Sequence, residues 1–449
     1  MDEQEIKFQK MTQPPVQGLI CKLAFPCIIS MLVTSFYNMA DTFFVGMLDN
    51  TSATGAVGVV FSAMAIIQAI GFFFGHGSGN YISRELGKKN YEEASNMAAT
   101  GFYSSLLAGL LICVLGQIFL DELAYVLGST DTILPYTRQY LRVILLGAPW
   151  MAGSLVLNNQ LRYQGSANYA MVGIVSGAVL NIVLDPLLIF YFDMGIAGAG
   201  WATIISQLVS FCILLVGCSK GSNIQIHIRG FKLKWFYFGM ILSGGLPSLA
   251  RQSLASLAAI CLNRAAGGYS DAAVAAMSIV QRVMMFGAST MIGFGQGFQP
   301  VCGFNFGAGL HQRVKDGFWF CVKLSLVLLT GISALLFVFA PQVISWFQND
   351  PEVILHGSRA LRFQCLSFPA QSWIVMSNMM EQSIGRTASA TFLSAARQGI
   401  FFIPAIILLE FFLGLTGLQM AQAVSDLLTL ACAIPIHIHV LRTMERKHQ

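Results

Sequence analysis

Unbroken apolar runs, separated by short polar or charged breaks, fall at about 18–46, 53–80, 94–120, 138–163, 169–192, 196–218, 236–266, 272–300, 314–340, 358–382, 390–413 and 416–440. Each is long enough for a helix rising 1.5 Å per residue to cross a hydrocarbon layer of about 30 Å. The pattern therefore predicts twelve transmembrane helices. Strands of a membrane barrel would instead alternate in segments of about ten residues, so a barrel is excluded.

The runs also repeat. A shift of about 220 residues superposes Leu141, Arg142 and Pro149 on Leu361, Arg362 and Pro369, and Asn158 on Asn378. The same shift places Gly75, Gly77 and Gly87 on Gly295, Gly297 and Gly307. Pro26 falls on Pro247, and Gly195 and Gly198 on Gly414 and Gly417, within one residue of that shift. Each half has an even number of spans, so both insert in the same orientation. The predicted fold is an all-α membrane protein of two six-helix lobes, related by a pseudo-two-fold axis along the membrane normal. Residues 1–218 form the first lobe, 219–235 a polar cytoplasmic linker and 236–449 the second lobe.

Composition agrees with immersion in lipid: 55% of the 449 residues are hydrophobic and only 10% charged, against about 25% charged in soluble chains. No span remains for a sizeable soluble domain. Sixteen Lys and Arg residues fall in the segments on the N-terminal side, among them Arg84, Arg162 and Arg313, and five on the opposite side. That bias predicts a multi-pass protein of the cell membrane with both termini in the cytoplasm. The first 17 residues are polar and lack the apolar core of a signal peptide. The ten cysteines show no C-x-x-C pair or His/Cys spacing suited to a metal. Nothing resembles a basic nucleic-acid-binding run, and no obligate protein partner is evident; the expected partners are the bilayer and small-molecule substrates.

Ionisable residues within spans are costly, about 2.5–3.5 kcal/mol near the bilayer centre, so each needs a reason. The first half holds two carboxylates, Asp41 in helix 1 and Asp185 in helix 5, at a common level, with Thr203 of helix 6 at matching depth. Tyr37 shares a helical face with Asp41, Asn38 lies at the i+3 spacing from it, and Asn181 precedes Asp185 by four. Two carboxylates, amides and a hydroxyl make an oxygen-rich set suited to H⁺ or Na⁺, with Na⁺ held by Asp41, Asn181, Asp185 and Thr203. A pair of hydrogen-bonded structural acids is the competing reading. Pro26 and Pro247, within helices 1 and 7, each remove a backbone hydrogen bond and mark candidate hinges.

The segments FYNMADTFFVG (Phe36–Gly46), YISRELGKKN (Tyr81–Asn90), LNIVLDPLLIF (Leu180–Phe190) and GIAGAGWAT (Gly195–Thr203) resemble the multidrug and toxic compound extrusion family, in its DinF-like or MepA-like prokaryotic branch. The resemblance implies a V-shaped pair of lobes and a secondary-active exporter of organic, often cationic or amphoteric, compounds. Exchange for H⁺ or Na⁺ would drive it by alternating access, with no further cofactor. It also implies that Asp41, Asn181, Asp185 and Thr203 form the cation site, with Tyr37 and Asn158 beside it. Another branch places carboxylates in helices 7 and 10, but Gly244–Ala266 and Leu366–Met380 contain none.

The second half offers Arg251, Arg282, Arg397 and Asp426 instead. Arg282 and Asp426, each about ten residues from the outer end, are placed to pair. This group reads either as a structural ion-pair cluster or as a cavity wall on which Arg251 or Arg282 meets an anionic group of the substrate. Two further functions compete with export: a lipid-linked sugar flippase of the same superfamily, and an intramembrane enzyme using the two carboxylates.

Overall fold

In the computed structural model, which describes residues 3–48 and 51–446, twelve long helices follow the apolar runs. They are α1 (Val16–Gly46), α2 (Thr51–Gly87), α3 (Tyr91–Ile118), α4 (Leu134–Tyr163), α5 (Ala167–Pro186) and α6 (Gly195–Cys218) in the first half. The second half has α7 (Trp235–Gly267), α8 (Asp271–Gly307) and α9 (His311–Val338). Then come α10 (Pro351–Ser383, with a 3-10 turn at Phe368–Ala370), α11 (Thr387–Leu413, with a π turn at Ala396–Ile400) and α12 (Leu415–Arg446).

Ten of these are long and apolar enough, by length and composition, to cross a membrane. The other two depart for visible reasons. α7 carries Arg251 and Arg264 within its length, and α10 carries four acidic or basic (Asp/Glu/Lys/Arg) residues, Glu352, Arg359, Arg362 and Glu381, and breaks at Pro369. Caps mark several starts: Asn90 accepts from Glu93 N, Ser270 from Ala273 N, and Asp350 from the amides of Glu352 and Val353 ahead of α10.

The repeat appears in atomic detail. Asn158 Nδ2 donates to the Ala170 carbonyl at 3.1 Å, and Asn378 Nδ2 to the Ala390 carbonyl at 2.6 Å, clamping α4 to α5 and α10 to α11 in the same way. Gly195, the first residue of α6, and Gly414, just before α12, both have positive φ, 54° and 60°.

The apolar core has three main parts, and their distribution sets the shape. One cluster joins both halves, with Ile20 and Ala24 of α1, Ile82 of α2, Ile241 of α7, Phe298 of α8 and Phe318 of α9. All of these lie towards the end that carries the 219–234 linker. At the opposite end each half packs separately, Val45, Tyr140 and Ile196 in the first and Ala258, Leu361 and Leu418 in the second. The lobes therefore meet at the linker end and part at the other.

Glycines permit the close crossing. A Cβ on Gly77 of α2 would fall on the Ile241 carbonyl of α7, and one on Gly297 of α8 would fall on Ala24 of α1. These two glycines are repeat equivalents, so the α2–α7 crossing and the α8–α1 crossing are two-fold counterparts. Pro26 and Pro247 sit beside these crossings, and α1 and α7 continue as helices through them.

The polar N-terminal lead contains a short helix, Glu3–Thr12, which lies across the closed end. Lys7 Nζ donates to Asn223 Oδ1 at 2.6 Å and Glu5 pairs with Lys89 at 2.7 Å, while the Met11 carbonyl accepts from Asn305 of α8 at 3.1 Å.

Candidate cation and substrate site

A cavity of about 290 Å³ lies between the lobes. Its first-lobe wall includes Tyr37 and Asn38 of α1, Asn158 of α4, Asn181 of α5 and Thr203 of α6; Arg251 of α7 and Ser289 of α8 contribute from the second lobe.

Behind the first-lobe wall the two carboxylates come together. Asp185 is fully buried and lies within electrostatic range of Asp41. Asn181, one turn before Asp185 on the same face, points its Nδ2 at Asp185 Oδ1, 3.4 Å away. Tyr140 of α4 donates its hydroxyl to Asp41 Oδ2 at 3.3 Å and lies beside Thr203. Thr203 donates to the Ala199 carbonyl at 3.0 Å, which leaves oxygen lone pairs for the site. Tyr37 lies within range of both carboxylates, with its hydroxyl beside Gln207. Pro186 has no N–H to offer the Ile182 carbonyl, and α5 passes from there into the π turn Leu187–Tyr191.

Three buried acceptors of this cluster, Asp41 Oδ1, Asn181 Oδ1 and Asp185 Oδ2, have no donor among the described residues. Buried oxygens without donors are costly unless a proton or cation completes them. The arrangement can therefore hold a hard cation or a proton.

Of the residues expected near this cluster, Asn158 stands apart. It lines the cavity, and its amide is spent on the α4–α5 clamp. Tyr140 was missed in the sequence, where one tyrosine in an apolar run carries no signal beyond its depth in helix 4.

The second-lobe ion pair differs from expectation. Asp426 pairs with Arg397, Nε to Oδ1 at 2.9 Å, not with Arg282. Ser367, Gln371 and Gln422 also donate to Asp426, so its carboxylate is satisfied. Arg397 gains this position from the π turn of α11, a feature that ideal helical spacing does not show, while Arg282 remains exposed. α10 also holds a carboxylate just beyond the stretch read as acid-free: Glu381, wholly buried, contacts His437 Nδ1 at 3.2 Å.

Arg162 is a second correction. Expected among the cytoplasmic segments, it turns into the protein from the last turn of α4, is 3% exposed, and lines the cavity.

A family profile described as MatE matches the chain twice, over residues 26–187 and 247–408. The chain belongs to the MatE family. The multidrug export protein MepA of Staphylococcus aureus (strain MSSA476) is 27% identical over 442 residues, covering 98% of this chain and 97% of MepA. MepA of Staphylococcus haemolyticus (strain JCSC1435) is 27% identical over 426 residues, 95% of this chain and 93% of the relative. Among solved structures, an outward-facing multidrug resistance MATE transporter of the MOP superfamily aligns with a TM-score of 0.92 at 26% identity, covering 98% of both chains. A Pyrococcus furiosus MOP-superfamily transporter, described as having a binding pocket of reverse polarity that suggests a different function, aligns at 0.90 with 25% identity over 98% of both chains. This MatE chain is thus a multi-pass membrane transporter of the multidrug-efflux kind, and the intramembrane-enzyme alternative falls.

Proposed function

We propose that the protein exports organic compounds in exchange for H⁺ or Na⁺, with the exchanging cation taken up at Asp41, Asn181, Asp185 and Thr203. The observation that carries this reading is the set of three unpartnered buried acceptors beside a cavity that both lobes line. An exchanger needs two ligands that favour different arrangements of one two-state element. A cation that neutralises the first-lobe cluster relieves repulsion between Asp41 and Asp185 and draws α1, α5 and α6 together. The same helices form the substrate wall, so the two ligands compete through one structure. MepA, named as a multidrug export protein, supports the class of cargo.

With the linker and both termini in the cytoplasm, as the charge bias indicates, the lobes of this structure are closed on the inside and the cavity faces out. One positive charge moving inward down about 100 mV yields roughly 2.3 kcal/mol, close to a fifty-fold gradient per cation. The test is uptake of a fluorescent organic cation into proteoliposomes under imposed Na⁺ or pH gradients. Wild type accumulates the dye under at least one gradient and Asp41→Asn does not. Equal accumulation by both proteins would remove the cation site from the cycle.

A further inference from the structure

The cavity carries a charge pattern that the carboxylate cluster does not explain. Among the described residues that line it, the only charged side chains are Arg162 of α4 and Arg251 of α7, one from each lobe. Neither has a carboxylate within ion-pair distance among the described residues. Arg162 is held in place: Nη2 donates to Asn159 Oδ1 at 2.5 Å and meets His76 Nε2 at 3.2 Å, and the guanidinium lies 5.5 Å from the Tyr163 ring centre.

A guanidinium has no acceptor, so His76 Nε2 must accept, which puts the imidazole proton on Nδ1 and leaves the ring neutral. The charge on Arg162 is therefore oriented but not compensated, and its Nε is buried with no acceptor. Arg251, half-buried, lies within electrostatic range of Arg162 and of Arg397. Arg397 already has Asp426; Arg251 has no such partner. Two like charges thus line one cavity from opposite lobes, where partial burial screens their repulsion less than bulk water would.

We infer that Arg162 and Arg251 form a subsite for an oxyanion of the ligand, a carboxylate, sulfonate or phosphate, which bridges the two lobes. This rests on the exporter reading above and narrows its cargo. Planar guanidinium forks match oxyanions in a way that an ammonium does not. Ser248, Gln252 and Gln296 supply neutral donors on the same wall, and Phe72, Met151 and Met285 an apolar face. The subsite favours amphiphilic zwitterions and anions over simple monocations, which bind more weakly. A bridging anion also cancels the repulsion between the lobes at the point where they meet, so cargo and closure are linked.

The test uses two dyes with one fluorophore: rhodamine 110, which has a free carboxylate, and rhodamine 123, its methyl ester. Binding to the detergent-solubilised full-length protein is followed by fluorescence polarisation for wild type, Arg162→Gln, Arg251→Gln and Arg251→Lys. Wild type binds rhodamine 110 more tightly than rhodamine 123. Either Gln variant weakens rhodamine 110 about tenfold or more while rhodamine 123 stays within about twofold, as expected for loss of one charge-assisted contact. Arg251→Lys, which keeps the charge, retains part of the preference and guards against a folding defect in the Gln variants.

No preference in wild type, or equal weakening of both dyes in every variant, overturns the subsite. Binding preference that persists when wild-type proteoliposomes show no gradient-driven uptake would sink the exporter reading and leave the subsite standing.

Discussion

The hydroxyl of Tyr140 donates to Asp41 Oδ2 across 3.3 Å and so ties α4 to α1 at the level of Asp185. This contact stabilises the ionised, cation-free carboxylate and opposes recapture of the cation. Tyr140→Phe removes the donor while keeping the ring that packs in the first-lobe core. At a net value of roughly 1 kcal/mol, the coupling cation should half-saturate uptake at an about fivefold lower concentration. Turnover should fall as release slows. An unchanged half-saturating concentration, measured in proteoliposomes, would show that Tyr140 has no part in cation exchange.

Closure at the linker end depends on the absence of a side chain at Gly77. A Cβ there would occupy the Ile241 carbonyl position, and backbone cannot move aside as a flexible side chain can. Gly77→Leu should leave each lobe folded but hold the lobes apart at that end, with uptake reduced at least about tenfold on the scale of a few kcal/mol of overpacking. Gly297→Leu should act alike, because it is the repeat equivalent and would strike Ala24. Wild-type uptake by either variant would contradict the crossing.

Asp426 is a structural acid, satisfied by Arg397 and three neutral donors. Asp426→Ala leaves the Arg397 guanidinium and those donors facing an uncharged gap, which costs about 3 kcal/mol. Arg282→Ala, at an exposed position outside this cluster, should stay within about 0.5 kcal/mol of wild type. Thermal unfolding in detergent separates the two. A larger loss in Arg282→Ala than in Asp426→Ala would reverse the assignment of the ion pair.

Most of the fold was legible because lipid leaves few alternatives. Apolar runs gave twelve helices, and their paired Gly and Pro positions gave the repeat that Asn158 and Asn378 display. The juxtaposition of Asp41 with Asp185 followed from depth and i, i+4 spacing. What escaped was set by irregular geometry and by side-chain direction. The π turn in α11 brings Arg397, and not Arg282, to Asp426, and no period of 3.6 anticipates that. Arg162 stands one residue from the end of α4, where a charge normally faces water; its inward turn is held by Asn159 one turn back on α4 and by His76, which the tertiary fold brings from α2. Glu381, near the C-terminal end of α10, is paired within the fold by contact with His437, a partner 56 residues away that no local pattern reveals.

Arg84, near the end of α2, links the two lobes and does not simply face water. Its Nη1 donates to the Ser383 carbonyl at 2.8 Å, joining α2 of the first lobe to the C-terminal end of α10 in the second. That carbonyl belongs to the last turn of α10, where acceptors lack helical partners and the helix dipole favours a cation. A charge-assisted hydrogen bond of about 1.5 kcal/mol holds the closed end, so Arg84→Ala should raise the population open at that end about tenfold. Cys302 of α8 is fully buried in this interface and reports on opening. Under a water-soluble maleimide, with peptide mass spectrometry to separate it from the other cysteines, Cys302 should react about tenfold faster in Arg84→Ala than in wild type. Equal rates would mean that the contact does not restrain the lobes, and that closure rests on the glycine crossings alone.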